Sequence, residues 1–220
     1  MKKLIKIVKG IASFLMFFII SQLSPSCVII AIVSSKSIHK PMDNLVAYIL
    51  VIAILINVWL ILYVAGRYGF KFHFDFLNIK TMKIILLAIF SMTIVVTLGS
   101  MLSHANTTAN DKILQEINKV MPQIVMFFMT VVGAPIMEEI TFRGVIIGKL
   151  FKNIPCLGLI LSSLLFGLAH GPNDLGSWVG YGGMGLVLGL VYLYTKRLEI
   201  NICIHFLWNL FAISVMFIKS

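Results

Sequence analysis

Charge is scarce in this chain of 220 residues: Asp, Glu, Lys and Arg together make up 12% of it, about half the fraction usual in a soluble domain. Hydrophobic residues make up 60%, and the mean hydropathy is +1.02. These figures exclude a water-soluble globule, because several apolar stretches reach about 18 residues, enough to cross the hydrocarbon of a bilayer. Cysteine is nearly missing as well. Cys27, Cys156 and Cys203 are odd in number, unpaired in spacing and set in or beside apolar runs, which excludes a disulfide framework or a CxxC site. No GxSxG nucleophile elbow and no HExxH zinc signature is present. No internal repeat or low-complexity tract is evident.

Acidic residues are the scarcer sign: 8 against 18 Lys and Arg, for a net charge of +10. The basic residues fall between the apolar runs, without an Arg-rich tract or a pattern of stacking aromatics. They read as topology determinants and not as a nucleic-acid surface.

The pattern predicts an all-α fold, a polytopic transmembrane helical bundle with about seven spans: 11–33, 45–65, 84–103, 123–150, 156–170, 178–194 and 199–217. The fourth is either long or broken at Gly133 and Pro135. Helices are required because unpaired backbone groups are too costly in hydrocarbon. Of the Lys and Arg residues, 13 fall on one side of this layout and 5 on the other, which places the N-terminus in the cytoplasm and the C-terminus outside. The basic start and the Ser21–Ser26 polar patch have the flavour of a signal peptide, but apolar sequence resumes from Cys27 to Val33, so a retained span is the preferred reading. Residues 110–121 place Ile113, Leu114, Ile117, Val120 and Met121 on one face after an Asn110 or Asp111 cap, as in a short interfacial helix. Phe70, Phe72, Phe74 and Phe76 alternate with polar residues, as in an extended stretch along the interface.

Ionisable and polar residues inside apolar spans are costly and are usually paired or functional. Here they are Glu138, Glu139, Arg143, His170, His205 and Asn209. Consecutive helical residues are about 100° apart, so Glu138 and Glu139 cannot both enter one narrow cavity. Glu139 lies four residues before Arg143, the favourable order for a helical ion pair, and Glu138 is left to face something else. The segment carrying the glutamates and the next span form a hairpin near Asn153–Pro155. Glu138 and His170 are both about 23 to 26 Å from that turn and so sit at similar height. From the Lys196–Arg197 turn, His205 is about 12 Å deep and Asn209 about 18 Å, on one helical face. That depth favours a site opening on the side of the Lys196 turn. The sixth span is rich in glycine, with Gly180, Gly182, Gly183, Gly185 and Gly189; helix packing is the preferred role and a groove the alternative.

A carboxylate and an imidazole at one depth can share a water, one of them taking its proton as it attacks a carbonyl. A second His and an Asn on a facing helix can donate to the oxyanion that forms. This set supports amide hydrolysis without a covalent intermediate. Neither Ser nor Cys is well placed as nucleophile: Cys203 lies two residues from His205, about 200° around the helix. The metal alternative is a His₂Glu zinc site of Glu138, His170 and His205 with water as fourth ligand. The absence of HExxH and the spread of the ligands over three spans weigh against it.

Glu138-Glu139-Ile140-Thr141-Phe142-Arg143 forms EExxxR, Phe166-Gly167-Leu168-Ala169-His170 forms FxxxH, and His205-Phe206-Leu207-Trp208-Asn209 forms HxxxN. In this order, on apolar spans, the motifs resemble those of the CPBP family (CAAX proteases and bacteriocin-processing enzymes, also called the Abi family). The resemblance covers about residues 120–215. It divides the chain into motif-free spans over 1–110 and a CPBP-like catalytic membrane core over 111–220, expected to form one structural domain. It implies an intramembrane endopeptidase in which Glu138 and His170 activate water, His205 and Asn209 form the oxyanion site, and Glu139, Arg143 and Phe166 support them. A glutamate-type, metal-free mechanism is favoured, with zinc the alternative. The implied substrate is a membrane-associated peptide or protein: a prenylated CAAX chain, a bacteriocin or a signalling peptide. The Lys- and Ile-rich composition leans towards a bacterial plasma membrane. Two other classes compete: a non-proteolytic bacteriocin-immunity or scaffold protein using the same polar residues to bind a partner helix, and a proton-coupled carrier, which lacks the inverted repeats many carriers show.

Overall fold

The computed structural model describes residues 2–37, 42–73, 75–103 and 109–219. Lys40 and Phe74 lie outside these, as do the side chains of Asn110, Asp111 and Ile113. Among the described residues every regular element is helical, as hydrocarbon demands. Six helical spans are long and apolar enough to cross a membrane, and the shorter apolar helix Pro155–Ala169 accompanies them. The chain is an integral membrane protein.

Helices α1 (Lys2–Ser21) and α2 (Leu23–Ser37) form one span with a jog at Gln22. Pro25 has no N–H to offer the carbonyl four residues back, at Ser21. Helix α3 (Asn44–Arg67) starts at Asp43, whose side chain accepts from the Leu45 N–H. Helix α4 (Ile79–Leu102) starts at Asn78, which accepts from the Thr81 N–H; both are standard side-chain caps. After α5 (Ala109–Val120) come the long α6 (Gln123–Leu150), α7 (Pro155–Ala169), α8 (Leu175–Thr195) and α9 (Leu198–Lys219).

Glycine and proline do not break α6; they widen it. The backbone passes into π-helical turns over Phe127–Gly133 and Glu139–Leu150, so that Ala134 N–H bonds Met129 O and Phe151 N–H bonds Ile146 O, each five residues back. Such widenings are frequent at functional sites. The second one carries Glu139 and Arg143 of EExxxR, with Glu138 just before it, and its residues from Glu139 to Ile147 are all buried.

Helix α8 packs most extensively on α4 and α7, and glycine sets both distances. A Cβ on Gly99 would sit 2.6 Å from Gly176 O, and one on Gly185 would sit 3.0 Å from Ser163 Cα. Packing is thus the main role of the glycine-rich span, although nothing lies within 4 Å of a Cβ at Gly180 or Gly182. The motif-free spans buttress α6 directly. Asn57 on α3 donates to Ser24 Oγ (3.0 Å) and reaches Met137 Sδ (3.6 Å). Phe14 on α1 meets Phe142.

Two local expectations need correction. Helix α5 forms, but its apolar face enters the protein core: Ile117 and Met121 are buried. The 70–77 segment is non-helical as expected, yet Phe70, Phe72 and Phe76 pack against the core clusters instead of lying along the interface. Gly144 opens the room for Phe70, whose ring would stand 3.0 Å from a Cβ there. In both cases protein supplied a better apolar surface than the interface did. The three cysteines are free, Cys27 and Cys156 facing outwards.

Candidate active site

Helix α6 aims its consecutive glutamates at two different places. Glu139 points inward and is fully buried with Arg143, which donates from Nη1 to Glu139 Oε1 at 3.0 Å. Two fully buried charges are tolerable only when paired and hydrogen-bonded. The pair meets that condition: Asn201 Nδ2 donates to Glu139 Oε2 at 3.1 Å, and Arg143 Nη2 donates to Gly185 O at 3.1 Å. Phe166 covers the guanidinium, its ring centre 4.4 Å from Arg143 Cζ, a cation–π contact.

Glu139 has a third donor. His205 Nδ1 lies 2.9 Å from Glu139 Oε1, and because a carboxylate only accepts, Nδ1 carries the proton. The opposite nitrogen, Nε2, is turned to Glu138, 3.8 Å from its Oε2. That carboxylate oxygen is buried and has no hydrogen-bond partner. His170 is held in the same way. It ends α7, its Nδ1 is 2.8 Å from Phe166 O, and a carbonyl also only accepts, so His170 Nε2 is left as the acceptor of the neutral ring. Gly171, at φ +58°, turns the chain away directly afterwards, a conformation suited to glycine. The His170 ring stacks on Tyr181 with centroids 4.5 Å apart, and Phe166 lies at the same distance on tilted planes.

Asn209 is positioned through the backbone. Ala134 N–H bonds Met129 O, and the next residue that could serve Thr130 O in that register is Pro135, which has no N–H. Asn209 Nδ2 takes that orphaned carbonyl at 2.8 Å and keeps a second hydrogen for another acceptor.

Glu138, His170, His205 and Asn209 all line one cavity of about 580 Å³, together with Phe166, Tyr181 and Trp208. Glu138 and His170, expected at similar height on adjacent helices, thus face one cavity. Its lining reaches from His205 to Ser103 at the end of α4 and Ser177 at the start of α8, the end away from the Lys196–Arg197 turn.

Sequence reading missed Asn201 and Tyr181. Asn201 was legible as the residue one turn before His205 in an Asn-x₃-His-x₃-Asn series on one face. Tyr181 had no signal beyond its position in a glycine-rich span. Among the described residues no three His, Cys, Asp or Glu side chains are grouped to hold one metal ion; as placed, Glu138, His170 and His205 are not such a set.

Residues 120–211 match the family described as type II CAAX prenyl endopeptidase Rce1-like. The chain is 36% identical over 117 residues to the UPF0177 protein YvdC of Lactococcus lactis subsp. lactis (strain IL1403), covering 53% of this chain and 44% of that protein. It is 36% identical over 135 residues to the membrane-embedded CAAX protease MroQ of Staphylococcus aureus (strain USA300), covering 58% of this chain and 53% of that one. The chain thus spans about half the length of these curated relatives. No solved structure matches it. All three motifs lie inside residues 120–211, the part of the chain that matches the Rce1-like CAAX-protease family.

Proposed function

We propose that this protein is an intramembrane endopeptidase of the glutamate type, hydrolysing a peptide bond of a membrane-associated peptide or protein. The observation that carries this reading is Glu138 Oε2, a buried carboxylate oxygen without a hydrogen-bond partner, 3.8 Å from His205 Nε2 in a cavity shared with His170. Among the described residues the other buried carboxylates, Glu139 and Glu199, are paired. An unpaired one in a cavity is suited to accept a proton from a water that attacks a carbonyl.

The hydrogen bonds suit the neighbouring residues to the other roles. His170 Nε2 is an acceptor that can orient the same water. The second Asn209 Nδ2 hydrogen can donate to the oxyanion, with its direction set by Thr130 O. As the second group of the oxyanion site, His205 is held through Nδ1 by Glu139 and presents Nε2 to the same cavity. No step requires a metal ion or a covalent intermediate.

The family match and the similarity to a CAAX protease support a peptide substrate held in the membrane: a prenylated chain, a bacteriocin or a signalling peptide. We place the protein in a bacterial plasma membrane with its N-terminus in the cytoplasm, following the distribution of Lys and Arg. The cavity then lies in the outer half of the bundle.

The test compares the peptide termini of membrane and secreted fractions from cells expressing wild type or Glu138→Gln at matched abundance. Products that vanish in Glu138→Gln identify both activity and substrate. An unchanged set of termini, with a substrate-producing locus active, would sink the peptidase reading and leave a non-proteolytic immunity or scaffold role.

A further inference from the structure

At the end of the bundle away from the candidate active site there is a second cavity, of about 330 Å³. Its walls come from the 69–73 segment, the last turns of α6 and α8, and the first residues of α9. Four cationic residues line it, Lys71, Lys149, Lys196 and Arg197, against the one carboxylate of Glu199. That carboxylate is already used: Glu199 Oε1 accepts from Arg197 Nε at 2.7 Å and from His73 N at 3.3 Å. Arg197 also spends Nη2 on Asp75 Oδ1 at 3.2 Å. Lys71, Lys149 and Lys196 have no carboxylate partner among the described residues. Lys149 Nζ is held over the Phe70 ring, 4.8 Å from its centre.

A second observation points the same way. Tyr192 is only 8% exposed, yet its hydroxyl lines this cavity and has no hydrogen-bond partner among the described residues. Gly148 makes room for it, since a Cβ there would collide with Tyr192 Oη. A hydroxyl that faces a cavity ringed by ammonium groups without carboxylate partners is suited to an anion with several acceptor oxygens. The volume, roughly ten waters at about 30 Å³ each, is larger than a monatomic ion needs.

The cavity also lies at the ends of apolar helices, the level at which headgroups flank a spanning helix. It is bordered by the ends of the apolar helices Gln123–Leu150 and Leu175–Thr195 and the start of Leu198–Ile218. Nearby, exposed Tyr194 carries Lys80 Nζ 5.7 Å above its ring, a pairing typical of the membrane interface. We propose that this cavity binds the phosphate of an anionic lipid headgroup. Lys71, Lys149 and Lys196 supply the counter-charge and Tyr192 Oη the directional donor.

The test uses the purified full chain in detergent, with lipid retention read by native mass spectrometry. Phosphatidylglycerol and phosphatidylcholine are offered separately, and inorganic phosphate alone is titrated in a melting experiment. Wild type is expected to retain phosphatidylglycerol over phosphatidylcholine. The Lys71→Gln/Lys149→Gln double variant is expected to lose that preference by roughly tenfold or more. Tyr192→Phe, which keeps the packing, is expected to lose it severalfold with an unchanged melting temperature. If inorganic phosphate raises the melting temperature of wild type but not of the double variant, while both lipids are retained equally, the phosphate chemistry stands and the lipid source is overturned. Equal retention of both lipids with no phosphate effect, or retention unchanged in both variants, overturns the proposal.

Discussion

Glu139 Oε1 accepts from His205 Nδ1 across 2.9 Å, and the same oxygen accepts from Arg143 Nη1 at 3.0 Å. One buried carboxylate therefore performs two tasks. It neutralises the guanidinium of its own helix, and it fixes which nitrogen of a ring on α9 faces Glu138. The buried core of the bundle and the orientation of the site share a single atom, so damage to one is expected to reach the other.

Glu139→Ala tests that sharing. It leaves Arg143 fully buried without its counter-ion, and breaking a buried pair by removing one partner typically costs about 3 to 5 kcal/mol. The expected result is a large fall in abundance and in thermal stability, together with loss of activity. Glu138→Gln, by contrast, alters a cavity wall and is expected to keep wild-type stability while losing activity by about 10² or more. Melting curves of the two purified variants decide the matter; equal stability would remove the clamp from Glu139.

Asn201→Asp is expected to fail for a related reason. Asn201 Nδ2 donates to Glu139 Oε2 and to Leu188 O at 2.6 Å, so the substitution sets an acceptor against two acceptors in the interior. The loss of two bonds and the unpaired buried charge should together cost several kcal/mol. Asn201→Ala removes the bonds without adding a charge and should cost less. A chain stable as Asn201→Asp would show that this contact is not made.

Much of this site could be read from residue spacing, and the reasons are physical. Ionisable groups stand out in hydrocarbon, so Glu138, Glu139, Arg143, His170 and His205 could be found, and the i, i+4 rule paired Glu139 with Arg143 correctly. The same rule is silent about contacts between helices, which is why the bond from His205 to Glu139 and the role of Asn201 were missed. The seven apolar spans also emerged, because composition alone marks hydrocarbon-compatible helices. What Phe70 or α5 would pack against did not, since an apolar face looks the same whether lipid or protein covers it. Which residues of α4 and α8 line the cavity, Ser103 and Ser177 among them, is a matter of tertiary packing.

The glycines of α8 are expected to divide into two groups. Gly99→Ala on α4 places a Cβ 2.6 Å from Gly176 O, and Gly185→Ala places one 3.0 Å from Ser163 Cα. Both collide with backbone, which cannot swing aside, and should cost about 1 to 3 kcal/mol. Gly182→Ala meets nothing within 4 Å and should be neutral or stabilising by up to about 1 kcal/mol through helix propensity. Melting temperatures of the three single variants would check the division; a Gly182→Ala as damaging as Gly99→Ala would contradict this packing.

The last prediction concerns a proline and an asparagine that never touch. Pro135 cannot donate to Thr130 O in the wide register of α6, and Asn209 Nδ2 serves that carbonyl from α9 at 2.8 Å. Asn209→Ala should therefore orphan a carbonyl in the interior, at a cost of about 1 to 3 kcal/mol, besides lowering activity. Pro135→Ala restores an N–H at the position five residues after Thr130, where the widened ladder can use it. In that background the stability cost of Asn209→Ala should shrink by about 1 kcal/mol, within the usual range of coupling between residues that share a partner. Activity should not recover, because the asparagine amide itself is still missing from the cavity. The four proteins of this double-mutant cycle, compared by thermal unfolding in one detergent, give the coupling directly. If Asn209→Ala costs the same with proline or alanine at 135, the orphaned carbonyl is not what positions the asparagine.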